Sequence, residues 1–115
     1  MKEGNVALAA MPQADQRAKS RPVIVLREMP PHRDVLVCGI SSQVRQRMAL
    51  FDEVISPADL DFQGSGLLSE SLIRLGFLAV LPRSRIVGSI GAVSPERHRR
   101  LLQALAGYLT AELPS

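Results

Sequence analysis

The sequence is poor in several residue types on which common functions depend. It has one cysteine, no tryptophan and only four Phe or Tyr residues among 115. A single cysteine excludes an intrachain disulfide framework and a zinc site built from cysteines. The scarcity of aromatic rings argues against a base-stacking platform, which needs several of them. No apolar run reaches the ~20 residues of a membrane span and no signal peptide is recognisable, so we expect a cytoplasmic protein without membrane contact.

The motifs of common enzymes are also missing. The sequence contains no Walker loop, no dinucleotide-binding glycine fingerprint, no HExxH and no G-x-S-x-G. His32 and His98 stand in different predicted elements without the spacing of metal ligands. We therefore expect neither a metal nor a cofactor, and we interpret Cys38 as a buried core residue of a strand.

The charged residues are segregated along the chain, although the net charge is only +3. Residues 1–47 have a net charge of +4, residues 48–73 of −5, and residues 74–115 of +4. Twelve of the fourteen cations are arginine. Because the guanidinium is a planar donor fork that suits phosphate and carboxylate, this bias favours a phosphate-binding surface. The alternative is an ordinary solvated face.

Hydrophobic patterning predicts a mainly β (α+β) fold of short, mostly antiparallel strands. Apolar and β-branched runs predict strands at residues 5–11, 22–26, 34–40, 51–55, 70–74 and 77–81, followed by a broken apolar segment at 85–93. Between them, the polar stretch 12–20 predicts an exposed loop and Gln63–Gly66 a flexible turn. The stretch 56–59 resembles the first turn of a helix, with Ser56 as N-cap.

A C-terminal helix of about residues 94–111 is the clearest predicted element. It begins at Ser94-Pro95-Glu96, which supplies an N-cap hydroxyl, a proline at the first helical position and an acid at the positive end of the dipole. One apolar stripe contains Leu101, Leu102, Leu105, Tyr108 and Leu109, whereas Arg97, Arg99 and Arg100 lie mostly off it. We expect residues 1–115 to form a single domain, a strongly bent sheet or barrel with this helix.

Strand pairing brings two candidate functional residues together. If strands 22–26 and 34–40 form a hairpin with Leu26 opposite Val35, Arg21 falls within one residue of Ser41 at the far end. A guanidinium, hydroxyls and an amide then converge on one rim, which is an arrangement suited to a phosphodiester; the polar groups that follow Ser41 are Ser42 and Gln43. The alternative is that the arginine fixes a loop and the hydroxyls cap a strand end.

Three stretches in the right order and spacing resemble the MazF/PemK family of toxin endoribonucleases. The first is Gly4-Asn5-Val6 with Arg21-Pro22-Val23-Ile24-Val25-Leu26, which resembles the family's G-D-I-V start and R-P-x-[LIV]-V-[LIV] strand. The second is Val37-Cys38-Gly39-Ile40-Ser41-Ser42-Gln43, similar to V-x-x-I-T-S-Q. The third runs from Ser71 to Ser94 and resembles S-x-V-R, L-D-K-S-R-I and I-G-x-L-S.

The resemblance implies a fold and an activity. It implies an SH3-like barrel that dimerises with itself and cleaves single-stranded RNA, without metal, to a 2′,3′-cyclic phosphate. The family's two main functional positions fall on Arg21 and Ser41, which would be the catalytic residues. Contacts to flanking RNA are expected from Lys19, Ser42, Gln43 and Gln13. An acidic, partly disordered antitoxin is the expected protein partner.

The sequence also departs from the family pattern. Ser41 replaces threonine and lacks the methyl group that restricts χ1, and Asn5 replaces aspartate. Gly76, Val80 and Pro82 stand where aspartate, threonine and aspartate are common. These changes keep open two alternatives: a catalytically weak or inactive SH3-like module that binds nucleic acid or a peptide, and a purely structural dimer.

Overall fold

A computed structural model describes residues 1–12 and 18–112 of the chain. Its strands are β1 (Asn5–Pro12), β2 (Ala18–Met29), β3 (Asp34–Ser41), β4 (Glu53–Ile55), β5 (Ser71–Leu81) and β6 (Ile86–Ala92). Its helices are the single turn α1 (Phe62–Ser65) and the long α2 (Pro95–Thr110), with 3₁₀ turns at Val44–Gln46 and Arg83–Arg85. No helix in the described part of the chain is long and apolar enough to cross a membrane.

All strand pairs are antiparallel and form one six-stranded sheet in the order β4-β5-β3-β2-β1-β6. The segment after β4 returns to the opposite edge, where a Cβ on Gly66 would collide with the carbonyl oxygen of Ile90 in β6. Gly66 ends α1 with φ of 76°, a conformation that glycine adopts without steric cost. Helix α1 therefore lies in close contact with β6. The predicted mainly β fold with a C-terminal helix is confirmed.

Strands β2 and β3 are hydrophobic on both faces, and each face packs into a core. In β2, the even-numbered Ile24 and Leu26 belong to a core that α2 covers with Leu101 and Leu105. The odd-numbered residues of β2 and β3 form a second core on the other face, which comprises Val23, Val25, Val35 and Val37 with Ala7, Ala9 and Leu81. Burial on both faces explains the continuous apolar run of β2.

Helix α2 begins where the sequence predicts, but its faces differ from the predicted ones. The Ser94 hydroxyl accepts the backbone N–H of Arg97, as expected of the N-cap. Arg97 itself is buried, whereas Tyr108 and Leu109 of the predicted apolar stripe are each 69% exposed. His98, expected on the polar face, is partly buried with Nε2 2.8 Å from the carbonyl oxygen of Leu26. Tertiary contacts therefore decide which side of α2 is covered.

Four local predictions are wrong. Residues 56–59 form turns rather than a helix start, although the Asp59 carboxylate accepts the backbone N–H of Ser56 as in a capping box. The predicted turn at Gln63–Gly66 is largely helix α1. Of the predicted loop 12–20, Pro12 belongs to β1 and residues 18–20 belong to β2, whereas residues 13–17 lie outside the described residues. The two strands expected around Gly76 are one strand, β5, with an irregularity between its pairs with Cys38 and Gly39.

Candidate functional site

The pairing of β2 with β3 brings Arg21 and Ser41 to the same end of the sheet. Val23 pairs with Gly39, and the same register extended by two residues sets Arg21 opposite Ser41. The expected pairing of Leu26 with Val35 is wrong: Val35 pairs with Glu28, and the register shifts by one residue at Leu26. The observed register next to the turn differs from the expected one by two residues, and this β-bulge reverses one of them, so that Arg21 faces Ser41 instead of Ile40.

Arg21, Ser41, Ser42 and Gln43 line one open cleft of about 730 Å³. Its other walls are mainly apolar and come from β5, β6 and the segment after α1; they include Leu67, Leu68, Phe77 and Ile90. No carboxylate or imidazole is found in the cleft lining as far as the structure describes the chain. The cleft thus presents cationic and hydroxyl groups on an otherwise apolar surface, and this combination suits an anion attached to an apolar group.

The Ser41 hydroxyl is oriented by a local hydrogen bond. Its Oγ accepts the backbone N–H of Gln43 at 3.0 Å, in a turn closed by the side chain. This bond constrains the side chain that lacks the threonine methyl. Because Oγ is engaged as an acceptor, the hydroxyl proton is directed elsewhere and can be donated to a ligand oxygen.

Phe77 forms part of the cleft wall because Gly39 has no side chain. A Cβ on Gly39 would lie 2.8 Å from Cδ1 of Phe77, which is closer than atoms can pack. Phe77 follows the irregularity in β5 and is 48% exposed. The sequence does not predict this ring as part of the site. With two separate short strands expected around Gly76, the side to which the Phe77 ring points could not be inferred.

Arg74 is a second cation of the cleft that sequence reasoning did not assign to the site. It pairs with Gly39 across β3–β5, and Gly39 pairs with Val23 on the other side. Ile73 and Leu75 point into the core beneath α2, so alternation directs Arg74 to the opposite face, toward the cleft that it lines. The only sequence signal was its place in the motif beginning at Ser71.

Of the two remaining predicted contacts, only Lys19 is described by the structure, and it is not among the residues that line the cleft. Lys19 is exposed in β2, where it pairs with Met11 of β1. Gln13 lies outside the described residues. Their expected roles stay predictions, and so do those of Arg21, Ser41, Ser42 and Gln43.

Three of the five acids of the segment 48–73 contact Arg97 of α2. Arg97 donates to three carboxylates, with Nε 2.8 Å from Asp61 Oδ2, Nη1 2.8 Å from Glu53 and Nη2 3.1 Å from Asp59. Burial opposes the ionisation of Asp61, but hydrogen bonds from Arg97 and from the backbone of Ser94 outweigh it and lower the pKa of this carboxyl. These three carboxylates contact Arg97 and are not among the residues that line the cleft.

Cys38 is a core residue, as predicted. It is fully buried in β3, and burial raises the pKa of its thiol to about 12. Such a thiol is protonated at neutral pH and is not a nucleophile. In residues 1–12 and 18–112, no three His, Cys, Asp or Glu side chains are grouped so that they could hold a metal ion.

Fold and cleft together define a small antiparallel β protein that presents guanidinium and hydroxyl groups from neighbouring strands. Over residues 2–109 the chain matches the sequence profile of the PemK-like, MazF-like toxins of type II toxin–antitoxin systems. The chain belongs to this family.

Solved structures share the fold at low sequence identity. The Mycobacterium tuberculosis toxin MazF-mt6 is 20% identical, with 95% of this chain and 99% of that chain covered and a TM-score of 0.67. An endoribonuclease in complex with its cognate antitoxin, from a mycobacterial species, is 16% identical, with 99% of each chain covered and a TM-score of 0.69. No curated protein sequence matches the chain.

Proposed function

We propose that this chain is the toxin of a toxin–antitoxin pair and acts as a metal-independent endoribonuclease on single-stranded RNA. The observation that carries the proposal is the register of β2 and β3, which, extended by two residues from the pair Val23–Gly39, sets Arg21 opposite Ser41 in the cleft that both residues line. Membership of the PemK-like, MazF-like toxin family supports the same activity. Structural neighbours described as endoribonucleases are consistent with it.

In the proposed reaction the nucleophile belongs to the substrate. The 2′-oxygen forms a bond to phosphorus while the bond from phosphorus to the 5′-oxygen breaks, which gives a 2′,3′-cyclic phosphate and a 5′-hydroxyl. Water accepts the 2′-hydroxyl proton and water protonates the 5′-oxygen. The protein contributes by orienting the phosphate and by stabilising the charge that develops on its oxygens.

Arg21 and Ser41 divide this stabilisation between them. The Arg21 guanidinium donates to the scissile phosphate as a fork, and its permanent charge compensates the added negative charge of the pentacoordinate transition state. It does not act as a general base, because a guanidinium stays protonated in proteins. The Ser41 hydroxyl, fixed by the Gln43 N–H, donates to a non-bridging oxygen. Lys19, Ser42, Gln43 and Gln13 contact flanking nucleotides.

The test is cleavage of mixed-sequence RNA by the purified protein in excess EDTA. We expect cleavage to persist, to stop when every 2′-hydroxyl is replaced by hydrogen, and to leave 2′,3′-cyclic phosphate ends detectable by mass spectrometry. Arg21→Gln and Ser41→Ala should each lower the rate about 100-fold or more, as removal of a transition-state donor does. The matched controls are Arg99→Gln on the exposed side of α2 and Ser84→Ala, exposed in the turn before β6.

The outcomes separate catalysis from binding. The proposal is contradicted if the wild-type protein does not cleave varied RNAs. It is also contradicted if the Arg21→Gln protein cleaves RNA at an unchanged rate. If the Arg21→Gln protein still inhibits growth as strongly as the wild type, the chain acts by binding a partner instead of by cutting RNA.

The proposed protein partners are an acidic antitoxin and a second copy of the chain. A structural neighbour was solved in complex with its cognate antitoxin, which supports the first. An acidic, partly disordered segment would compete with RNA for the cationic cleft. Co-expression with a short acidic reading frame next to the gene should relieve growth inhibition, and sedimentation of the isolated chain measures dimer formation.

A further inference from the structure

We propose that Asp52 is a positioning residue for the cleft, because its carboxylate joins the loop that follows Ser41 to the part of β5 that carries Phe77. The inference rests on the proposed function, since it concerns the alignment of groups in the same cleft. Asp52 is not among the residues that line the cleft. It acts through the backbone of the two segments that flank it.

The Asp52 carboxylate accepts one backbone N–H from each of two separate segments. Its Oδ2 lies 2.9 Å from the nitrogen of Met48, in the loop after β3, and its Oδ1 lies 3.1 Å from the nitrogen of Leu75 in β5. The residue is only 8% exposed. A carboxylate loses its water on burial, and the two N–H groups replace part of that hydration and thereby fix its position.

On one side, Asp52 attaches the loop that leads away from Ser41. The N–H of Gln43 donates to Ser41 Oγ, and the N–H of Asp52 donates to the carbonyl oxygen of Met48 at 2.9 Å. Bonds of this kind join residues two to four apart, so they shape the loop without attaching it to the sheet. The bond between the Leu75 N–H and Asp52 spans 23 residues and ties the loop to β5.

On the other side, Asp52 holds an irregular part of β5. The ladder between β5 and β3 is interrupted after Arg74 and resumes at Leu78, so residues 75–77 bulge from it. The first residue of this bulge is fully buried, and a buried N–H outside a ladder needs another acceptor, which Asp52 supplies. The last residue of the bulge is Phe77, whose side chain lines the cleft.

The two contacts together set the separation between the hydroxyl rim at Ser41 and the wall at Phe77. A displacement of ~1 Å in groups that align a substrate can lower the rate of reaction about 100-fold. Loss of one contact of Asp52 leaves the cationic charge of the cleft unchanged, and this charge attracts the RNA. We therefore expect the loss to lower kcat rather than to raise KM.

The experiment compares Asp52→Asn with Glu53→Gln in steady-state cleavage of one fluorophore-labelled RNA that the wild-type protein cuts. The amide has the size of the carboxylate but keeps one acceptor oxygen and turns an NH₂ group toward the other backbone N–H. Per folded molecule, determined by urea unfolding at the assay temperature, Asp52→Asn should lower kcat about 10- to 100-fold and change KM less than about threefold. Glu53→Gln alters the adjacent acid, which contacts Arg97 and Arg100 instead, and should keep the wild-type constants.

NMR of the free protein supplies a readout that does not depend on RNA. In Asp52→Asn, the amide that faces the new NH₂ group, that of Met48 or that of Leu75, should exchange its hydrogen at least about tenfold faster, whereas exchange in the β1–β2 ladder should stay unchanged. The amide signals of Gln43 and Phe77 should shift, because rim and wall move. In the control variant these signals should keep their wild-type positions.

The outcomes separate positioning from stability. If Asp52→Asn has the kcat of Glu53→Gln, or if KM alone rises, Asp52 does not position the cleft and only the present inference fails. A lower kcat with unchanged signals of Gln43 and Phe77 also overturns it, since the effect then does not pass through rim and wall. If the wild-type protein cleaves no RNA, the proposed function fails and this inference fails with it.

A second variant applies if Asp52→Asn does not fold. Asp52→Glu keeps the charge and both acceptor oxygens but moves them by one methylene group. It should lower kcat in the same way and shift the same signals, and a wild-type kcat with shifted signals would overturn the inference.

Discussion

Replacement of Arg97 by methionine tests whether α2 holds the acidic segment in place. The Arg97 side chain is 7% exposed and donates to Glu53, Asp59 and Asp61. Methionine fills a similar volume but donates no hydrogen bond. Glu53 keeps Arg100, and Asp59 keeps the backbone N–H of its own turn. Asp61, 10% exposed, is left with the Ser94 N–H alone.

The magnitude follows from the burial of the pair between Arg97 and Asp61. Removal of one partner of a buried ion pair costs about 3–5 kcal/mol, because a carboxylate stays buried without compensation. For a chain of 115 residues, an unfolding entropy of ~2.1 cal/mol/K per residue converts this loss into a fall in Tm of about 12–20 °C. Since small domains are stable by only ~5–15 kcal/mol, the variant retains little margin.

Circular dichroism during urea and thermal unfolding measures the effect, at one fixed protein concentration. The control is Arg99→Met on the exposed side of the same helix, which should change stability by less than about 0.5 kcal/mol. Arg97→Lys keeps the positive charge but loses the planar donor fork of the guanidinium. Its loss of stability should therefore lie between those of Arg97→Met and Arg99→Met. A loss below about 1 kcal/mol for Arg97→Met would refute the assignment of Arg97 as the residue that holds the acidic segment.

Three further predictions concern acid stability, packing and the thiol. The pKa of Asp61 is lowered by folding, so its ionised form contributes stability that is complete above pH ~4 and is lost as pH falls through the folded-state pKa. The urea concentration at the unfolding midpoint should therefore decrease at pH values below ~4, and it should decrease less in Asp61→Asn. Gly39→Ala should cost about 1–3 kcal/mol because the new methyl group meets Phe77, but almost nothing in a Phe77→Ala background; equal costs in both backgrounds would contradict this contact. The Cys38 thiol, with a pKa of about 12, should react with a thiol reagent at pH 8 only after unfolding, so rapid labelling of the native protein would refute its burial.

The elements that the sequence predicts well are those whose cause is local. Strand β2 follows from a β-branched run, and α2 begins at Ser94 because the hydroxyl and the following proline together define a helix start. The hairpin between β2 and β3 also follows from reversal of direction at Pro30-Pro31. It brings Arg21 and Ser41 together to within one residue; the observed register next to the turn is offset from the expected one by two residues, of which the bulge at Leu26 reverses one.

The elements that the sequence does not predict depend on distant partners. Strand β5 continues through Gly76 although its ladder with β3 is interrupted, and the backbone N–H of Leu75 there donates to the carboxylate of Asp52, 23 residues away. Its other oxygen accepts the N–H of Met48, which fixes the loop after β3. No local sequence pattern predicts a bond between residues so far apart, and the directions of the neighbouring Arg74 and Phe77 side chains are not predicted either. The burial of Arg97 is not predicted either, because it too depends on partners that are distant in the sequence.

The distribution of charge, rather than its total, is what makes the cleft cationic. The acids of residues 48–73 would weaken the field of Arg21 and Arg74 if they faced the cleft, but three of them point to Arg97. Asp61 also holds the backbone of Ser94 and immediately precedes α1, whose last residue leads into the wall at Gly66 and Leu67. The pairing of Asp61 with Arg97 therefore directs this negative charge away from the site, and the position of Asp61 fixes part of the site's shape. The stability of the contact between Asp61 and α2 and the affinity of the cleft for an anion should therefore change together.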